Sequence, residues 1–194
     1  MAPTPATMVP LGTPAAPFML PDTEGKLVRL EDFNDASHLL VVFLCNHCPY
    51  VKHINPALVE FAREYLGQGL AMVAINANDI ERYPADSPER MAEQARELGY
   101  PFPYLFDAEQ KVAQAYRAAC TPDYFLFDRE RRLVYRGRFD ASTPGNGLPV
   151  TGEELRAAVD AALAGREISA EQKPSMGCSI KWKPGNEPGY FQPR

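Results

Sequence analysis

The stretch "LLVVFLCNHCPYVKHI", residues 39–54, decides how this chain folds. Its first half, Leu39 to Cys45, is an unbroken apolar and β-branched run, which suits a strand buried on both faces. From Tyr50 onward the pattern changes. Tyr50, Val51, Ile54, Leu58, Phe61 and Tyr65 recur three and four apart, the period of a helix. Between strand and helix stand Cys45 and Cys48, with His47 between them and Pro49 directly after. The pair has three readings: a redox couple, half of a metal site, or two buried thiols that are neighbours.

The position favours chemistry. Open α/β sheets place their sites at the carboxyl ends of central strands. The start of a helix carries unpaired N–H groups and a dipole that favour an anion. A free thiol ionises near about 8.5, and such surroundings lower that value. Two intervening residues let one sulfur reach the other with little backbone movement. Cys45, first in the chain, is expected to be the more exposed and the attacking thiol, with Cys48 resolving the mixed disulfide. A protonated His47 would favour the thiolate and move the couple toward the oxidising side.

Outward from this stretch, strands and helices alternate. "FMLPDTEGKLVRLEDF" reads as strand, turn, strand, with the turn at Asp22 to Gly25. Pro56 interrupts the first helix: either the helix kinks there, or Asn55 caps a second helix with Pro56 in its first turn. "LAMVAINAN", residues 70–78, is the next buried strand, and Ser87-Pro88 opens the helix "PERMAEQARELG". A short helix is expected around 108–117. "DYFLFD" and "RLVYRGRFD" read as antiparallel strands, and "GEELRAAVDAALAG" as a last helix, 152–165. The predicted fold class is α/β, a central mixed sheet flanked by helices on both faces. Residues 1–16 read as an extended arm, 17–165 as the domain, and 166–194 as an irregular tail packed on it. Five prolines (3, 5, 10, 14, 17) mark the arm and its junction.

At 194 residues the chain is long enough for a proper core without disulfide staples. A net charge of −5 and the lack of a basic stripe argue against nucleic acid and anionic membranes as partners. The N-terminal segment has neither a basic region nor a sustained apolar run, so no signal peptide is read and the cytoplasm is the expected location. In a reducing compartment, four cysteines with one close pair point to redox chemistry or metal before structural bridges.

Strand, Cys-x-x-Cys and helix together resemble the thioredoxin superfamily, and "PFMLPDTEGKLVRLEDF" looks like the entry segment of its redoxin branch, the AhpC/TSA-like proteins. More closely, "CNHCPYVK", "INAND", "TPDYFLFD" and "GCSIKWKPGNEP" resemble bacterial probable thiol–disulfide isomerases and thioredoxin-like proteins, over about residues 17–190. The resemblance places Cys45 and Cys48 on the redox pair and Pro122 on the cis-proline of the fold. It places Thr121 where backbone groups pair with an extended substrate. It implies a disulfide-containing protein or a small thiol or disulfide as substrate, a cellular thiol as reductant, and no cofactor beyond a Cys45–Cys48 disulfide.

Two departures stand out. Thioredoxin carries a buried aspartate six residues before its first cysteine, and here that position is Leu39. Another group or water must then handle the proton, with His47, Lys52 and a carboxylate from a facing loop as candidates. Peroxiredoxins carry Pro-x-x-x-Thr-x-x-Cys; aligned on Cys48, the threonine is Cys45 and the proline Val41. A peroxiredoxin-like peroxidase is therefore an alternative rather than the leading expectation. A third reading, a copper- or zinc-binding or delivery protein, meets the difficulty that a closed zinc site needs four ligands, so no metal site is assigned.

Cys120 and Cys178 are possible third thiols, Cys120 more simply a packed residue and Cys178 an anchor for the tail. Trp182 is expected to pack the tail on the body. Asn76, Asn78 and Asp79 are expected to satisfy loop backbone, Arg138 and Asp140 either to bracket the site or to form a local ion pair, and His38 and His53 to be solvated.

Overall fold

The computed structural model describes residues 3–191. In chain order the strands are β1 (Thr4–Pro5), β2 (Met19–Pro21), β3 (Leu27–Arg29), β4 (His38–Phe43), β5 (Leu70–Asn76), β6 (Tyr104–Phe106), β7 (Cys120–Thr121), β8 (Asp123–Phe127), β9 (Leu133–Tyr135) and β10 (Met176–Ser179). The helices are α1 (Pro49–Tyr65), α2 (Pro88–Leu98), α3 (Lys111–Ala115) and α4 (Glu153–Leu163). A mixed five-stranded sheet in the order β6-β5-β4-β8-β9 forms the centre. β4, β5 and β6 run parallel, and β8 runs antiparallel to β4.

Alternation along β4 divides the core, because successive side chains point to opposite faces. Leu40, Val42 and Leu44 join α1, α4 and Met91 of α2 on one face. Leu39, Val41 and Phe43 join the β2–β3 hairpin, α3 and Trp182 of the tail on the other. Both sets are fully buried, as the continuous apolar run requires.

Local chemistry explains the element ends. Asp22 builds the β2–β3 turn, its carboxylate accepting the Glu24 and Lys26 amides at 2.9 Å each. Ser87 caps α2 by accepting the Arg90 amide, and Gly99 ends it at φ 65°. α1 runs unbroken through Pro56, so Asn55 caps no second helix; it is buried and accepts a hydrogen bond from the Tyr100 hydroxyl at 2.9 Å. Tertiary packing of an apolar face outweighs the missing amide. The helix expected at 108–117 is shorter, and Gln110 before it sits at φ 63°.

The ends of the chain are more ordered than their composition implies. β10 lies inside the segment read as irregular and pairs antiparallel with β7 on one side and β1 on the other. Residues 12–15 run along β9: Gly12 N–H donates to the Leu133 carbonyl at 2.7 Å, Leu133 N–H to Thr13 at 2.9 Å, and Ala15 N–H to Arg131 at 2.8 Å. Asp22 bridges Leu105 at the β6 edge. Trp182 is buried in the second core face, as expected of it. Among the described residues no helix is long and apolar enough to cross a membrane.

One ion pair is wholly enclosed. Arg136 and Asp123 are both fully buried, joined by two hydrogen bonds, one of them Nη2 to Oδ2 at 3.0 Å, and the guanidinium lies 3.8 Å over the Phe125 ring. Burial pushes the Asp123 carboxyl upward, and Arg136 pulls it partly back. The pair ties the start of β8 to the chain just beyond β9.

Candidate active site

β4 delivers Cys45 to the carboxyl edge of the sheet, and α1 begins one residue after Cys48, which is its N-cap with Pro49 in the first turn. Asn46 and His47 span the gap. The peptide bond between Thr121 and Pro122 is cis, and Thr121 faces both sulfurs. Its hydroxyl lies 3.2 Å from Cys45 Sγ and its carbonyl oxygen 3.2 Å from Cys48 Sγ. Cys45, Cys48, Thr121, Pro122 and His47 are thus brought together.

The expected difference in exposure between the cysteines is absent: both are fully buried. The apolar end of β4 and the covering β10 enclose Cys45 as completely as its partner. Their proton affinities differ instead. Burial pushes the Cys45 thiol well above its ordinary value, and Cys48 and the Asp86 carboxylate add to this. Cys48 is pulled down to about 2, chiefly by hydrogen bonds from the Cys178 and Cys45 thiols, with the Val51 amide assisting against burial. When protonated, Cys48 donates to the Thr121 carbonyl. As a thiolate it receives several donors at the start of a helix, which favours the ionised form on Cys48 over Cys45.

The carboxylate that a facing loop brings beside the pair is Asp86. Leu39 packs in the core face away from α1 and carries no proton. Asp86 is fully buried on the loop after β5 and accepts from the Asn46 amide at 2.6 Å, from Asn78 Nδ2 at 2.8 Å, and from His47 Nδ1 at 2.6 Å. Burial alone would raise its carboxyl; hydrogen bonds from His47 and Asn78 more than offset this and leave it below the ordinary carboxylate range. Donor atoms of Cys45, His47 and Asp86 lie within 4.8 Å of one another, a set that offers three ligands toward a metal. A closed tetrahedral site needs a fourth. Lys52 is exposed on α1.

Asp86 escaped sequence reasoning because "ADSP" reads as the approach to a capped helix. The one signal was its place in a proline-marked loop at the carboxyl end of a buried strand. Tyr83 on the same loop stacks on His47, with ring centroids 5.1 Å apart, and Lys181 Nζ lies 5.6 Å from the Tyr83 centroid.

Thr121 does not offer a free backbone edge. It pairs with Cys178 of β10, so the chain's own tail occupies the place expected for an extended substrate. The Asn78 side-chain oxygen accepts the Lys181 amide at 2.8 Å, and the Asp79 amide donates to the Lys181 carbonyl at 2.8 Å, which fixes the tail on the loop after β5. Asn78 and Asp79 therefore satisfy backbone groups, as expected. Cys178 is half-buried and packs against the cluster that holds Cys45 and Cys48. Cys120 is fully buried, with its sulfur toward the Pro122 and Ser175 carbonyls. Arg138 pairs with Glu154 and Asp140 accepts from Ser142, Thr151 and Gly152, so neither brackets the cysteines. His53 is half-buried against Ser142 and His38 against Ser37, rather than solvated.

The AhpC/TSA family matches residues 11–136. Two solved structures align closely. One is a hypothetical protein from Sinorhizobium meliloti 1021, 55% identical over 94% of this chain and 100% of that one, with a TM-score of 0.93. The other is an uncharacterized conserved protein from Geobacillus kaustophilus, also 55% identical, over 95% and 98%, with a TM-score of 0.93. A putative thiol:disulfide interchange protein DsbE from Chlorobium tepidum shares the fold at 22% identity, over 80% of this chain and 99% of that one, with a TM-score of 0.63. No curated protein matches. The chain belongs to the AhpC/TSA family, and its fold is thioredoxin-like.

Proposed function

We propose, from the premise of this AhpC/TSA chain's redoxin chemistry, that it is a thiol–disulfide oxidoreductase whose Cys45–Cys48 couple acts on small disulfides. The observation that carries the reading is the contact of both sulfurs with Thr121 at the β4–α1 junction. The exchange of roles relative to chain order is part of this proposal: Cys48 is the N-cap of α1, where a thiolate is favoured, and its proton affinity is lowered while that of Cys45 is raised.

The Cys48 thiolate attacks one sulfur of a disulfide, the substrate S–S bond breaks, and the departing thiolate takes a proton. Cys45 passes its proton to the neighbouring His47–Asp86 pair and attacks Cys48 Sγ. A Cys45–Cys48 disulfide forms, and the second substrate thiol leaves. A low-molecular-weight thiol then restores the couple, and no cofactor takes part. Small substrates are favoured over extended peptides because β10 occupies the Thr121 edge.

The test is reduction of a small chromogenic disulfide. Cys48→Ser is expected to fall to background, and the double variant Cys45→Ser, Cys178→Ser, which lacks both nearby thiols, to stop at a stable mixed disulfide. Wild-type turnover in Cys48→Ser would sink the proposal. Peroxide reduction is the second reading, favoured by an enclosed thiolate at a helix start, which suits a very small oxidant. Stopped-flow oxidation by hydrogen peroxide decides it: a rate like that of free cysteine excludes the peroxidase, and a much faster one establishes it.

A further inference from the structure

We infer that Cys178 is a third redox thiol, the partner that takes the oxidised state from the buried couple to the surface through a Cys48–Cys178 disulfide. This rests on the proposed redox role of Cys45 and Cys48 and adds the route by which the couple is restored.

Three observations carry it. First, register: Cys178 stands opposite Thr121 in an antiparallel ladder, and directly opposed residues present their side chains to the same face. That face is the one on which the Thr121 hydroxyl meets Cys45 Sγ at 3.2 Å. Accordingly Cys178 packs on the cluster that holds Cys45 and Cys48, and the Cys48 and Cys178 thiols shift each other's proton affinity, Cys48 downward and Cys178 upward. Cys48 thus shares one cluster with both the entering and the leaving thiol that an exchange needs.

Second, the backbone holds the tail to this register. A Cβ on Gly177 would lie 2.0 Å from the Thr121 carbonyl oxygen, so only glycine lets β10 approach so closely. On either side, Ser175 Oγ donates to the Pro122 carbonyl at 2.7 Å and the Ile180 amide to the Ala119 carbonyl at 3.1 Å.

Third, access. Cys45, Cys48 and Cys120 are buried, while Cys178 is the one cysteine that solvent reaches. An external thiol therefore meets Cys178 at the surface before it meets the enclosed pair. Cys120, the chain neighbour of Thr121, turns its sulfur toward backbone carbonyls and is not placed for exchange.

The exchange balances. Cys178 loses its proton to water and its sulfur attacks Cys48 Sγ; the Cys45–Cys48 bond breaks as the Cys48–Cys178 bond forms, and Cys45 leaves as a thiolate and is reprotonated. The oxidation level is unchanged. A low-molecular-weight thiol attacks Cys178 Sγ, which frees the Cys48 thiolate. A second such thiol displaces the first as the external disulfide, leaving all three cysteines reduced.

Two experiments on the full chain test this. In Cys45→Ser oxidised with diamide, disulfide mapping by mass spectrometry is expected to find Cys48 joined to Cys178; absence of that link overturns the proposal. In Cys178→Ser and Cys178→Ala, rapid mixing with a small disulfide is expected to show a burst whose amplitude stays at one equivalent, while its rate follows the altered proton affinity of Cys48. Steady turnover supported by glutathione is expected to slow at least about tenfold, since the exposed sulfur is gone. Wild-type turnover in both variants overturns the proposal. A wild-type chain with no burst removes the redox reading itself, which is a separate result.

Discussion

In the five-stranded sheet, register follows from side chains: β4 alternates between two apolar faces, and a slip by one residue would exchange every core contact. In the small sheet of β1, β10 and β7, β10 is four residues long and its partners two each, and hardly any of their side chains enter the main core. Its register is set by a glycine against a carbonyl, a serine on the Pro122 carbonyl, and main-chain bonds from the loop after β5. The first sheet makes the fold and presents Cys45. The second encloses the cysteines and brings Cys178 beside them. Stability and reactivity are thus assigned to different sheets, and variants should separate them.

The largest effect is expected at the buried ion pair. Arg136→Ala strands the Asp123 carboxylate in a fully buried position and should cost about 3–5 kcal/mol, read by urea denaturation. Because the pair belongs to the large sheet, unfolding should remain a single transition. Gly177→Val is the reciprocal case. Its side chain has no room against Thr121, so β10 must leave, at a cost of about 1–3 kcal/mol. Hydrogen exchange is expected to speed at the Ile180 amide while β4 and β5 amides keep their protection. Equal loss in both sheets would break the comparison.

Asp86 joins the two regions through Asn78, which donates to Asp86 and accepts from Lys181 of the tail. Asp86→Asn is expected to cost about 1–3 kcal/mol near neutral pH, since charge-assisted hydrogen bonds are lost. Its folded pKa lies below the unfolded value of about 3.9, so the contribution is present above that pH and lost as pH falls through the lower folded value. The stability difference between wild type and variant should therefore shrink in acid, which denaturation at stepped pH will show. The smallest effect concerns Cys48 itself. Iodoacetamide labelling of Cys48 should follow a midpoint well below the free-thiol value of about 8.5, and Cys178→Ala should raise it by removing the strongest donor. An unchanged midpoint would show that the tail does not tune the thiolate.

What could be read from sequence divides along the same line. The strand at 39–45, the helix after it, the β2–β3 hairpin and the α2 cap announced themselves because apolar period and capping residues are local signals. Cys45, Cys48, His47 and the Thr121–Pro122 step were readable for the same reason, with resemblance supplying the distant contact. Asp86 was not, since a buried carboxylate on a loop has no local pattern and its meaning comes from three donors on other segments. Nor was the order of proton affinity between the cysteines, which depends on Cys178, 130 positions away in "GCSIKW". β10 escaped notice because two- to four-residue strands held by backbone contacts leave almost no side-chain period.

The segment 12–15 laid along β9 has a consequence for association between chains. An outer strand normally offers a row of unpaired amides and carbonyls on which another molecule can extend the sheet. Here Gly12, Thr13 and Ala15 occupy those groups on β9, and Pro10, Pro14 and Pro17 leave the covering segment with missing donors. At the opposite edge, β6 is three residues long and met by Asp22. Strand-to-strand aggregation is disfavoured at both borders, so copies of this chain that associate are expected to do so through helix and loop surfaces.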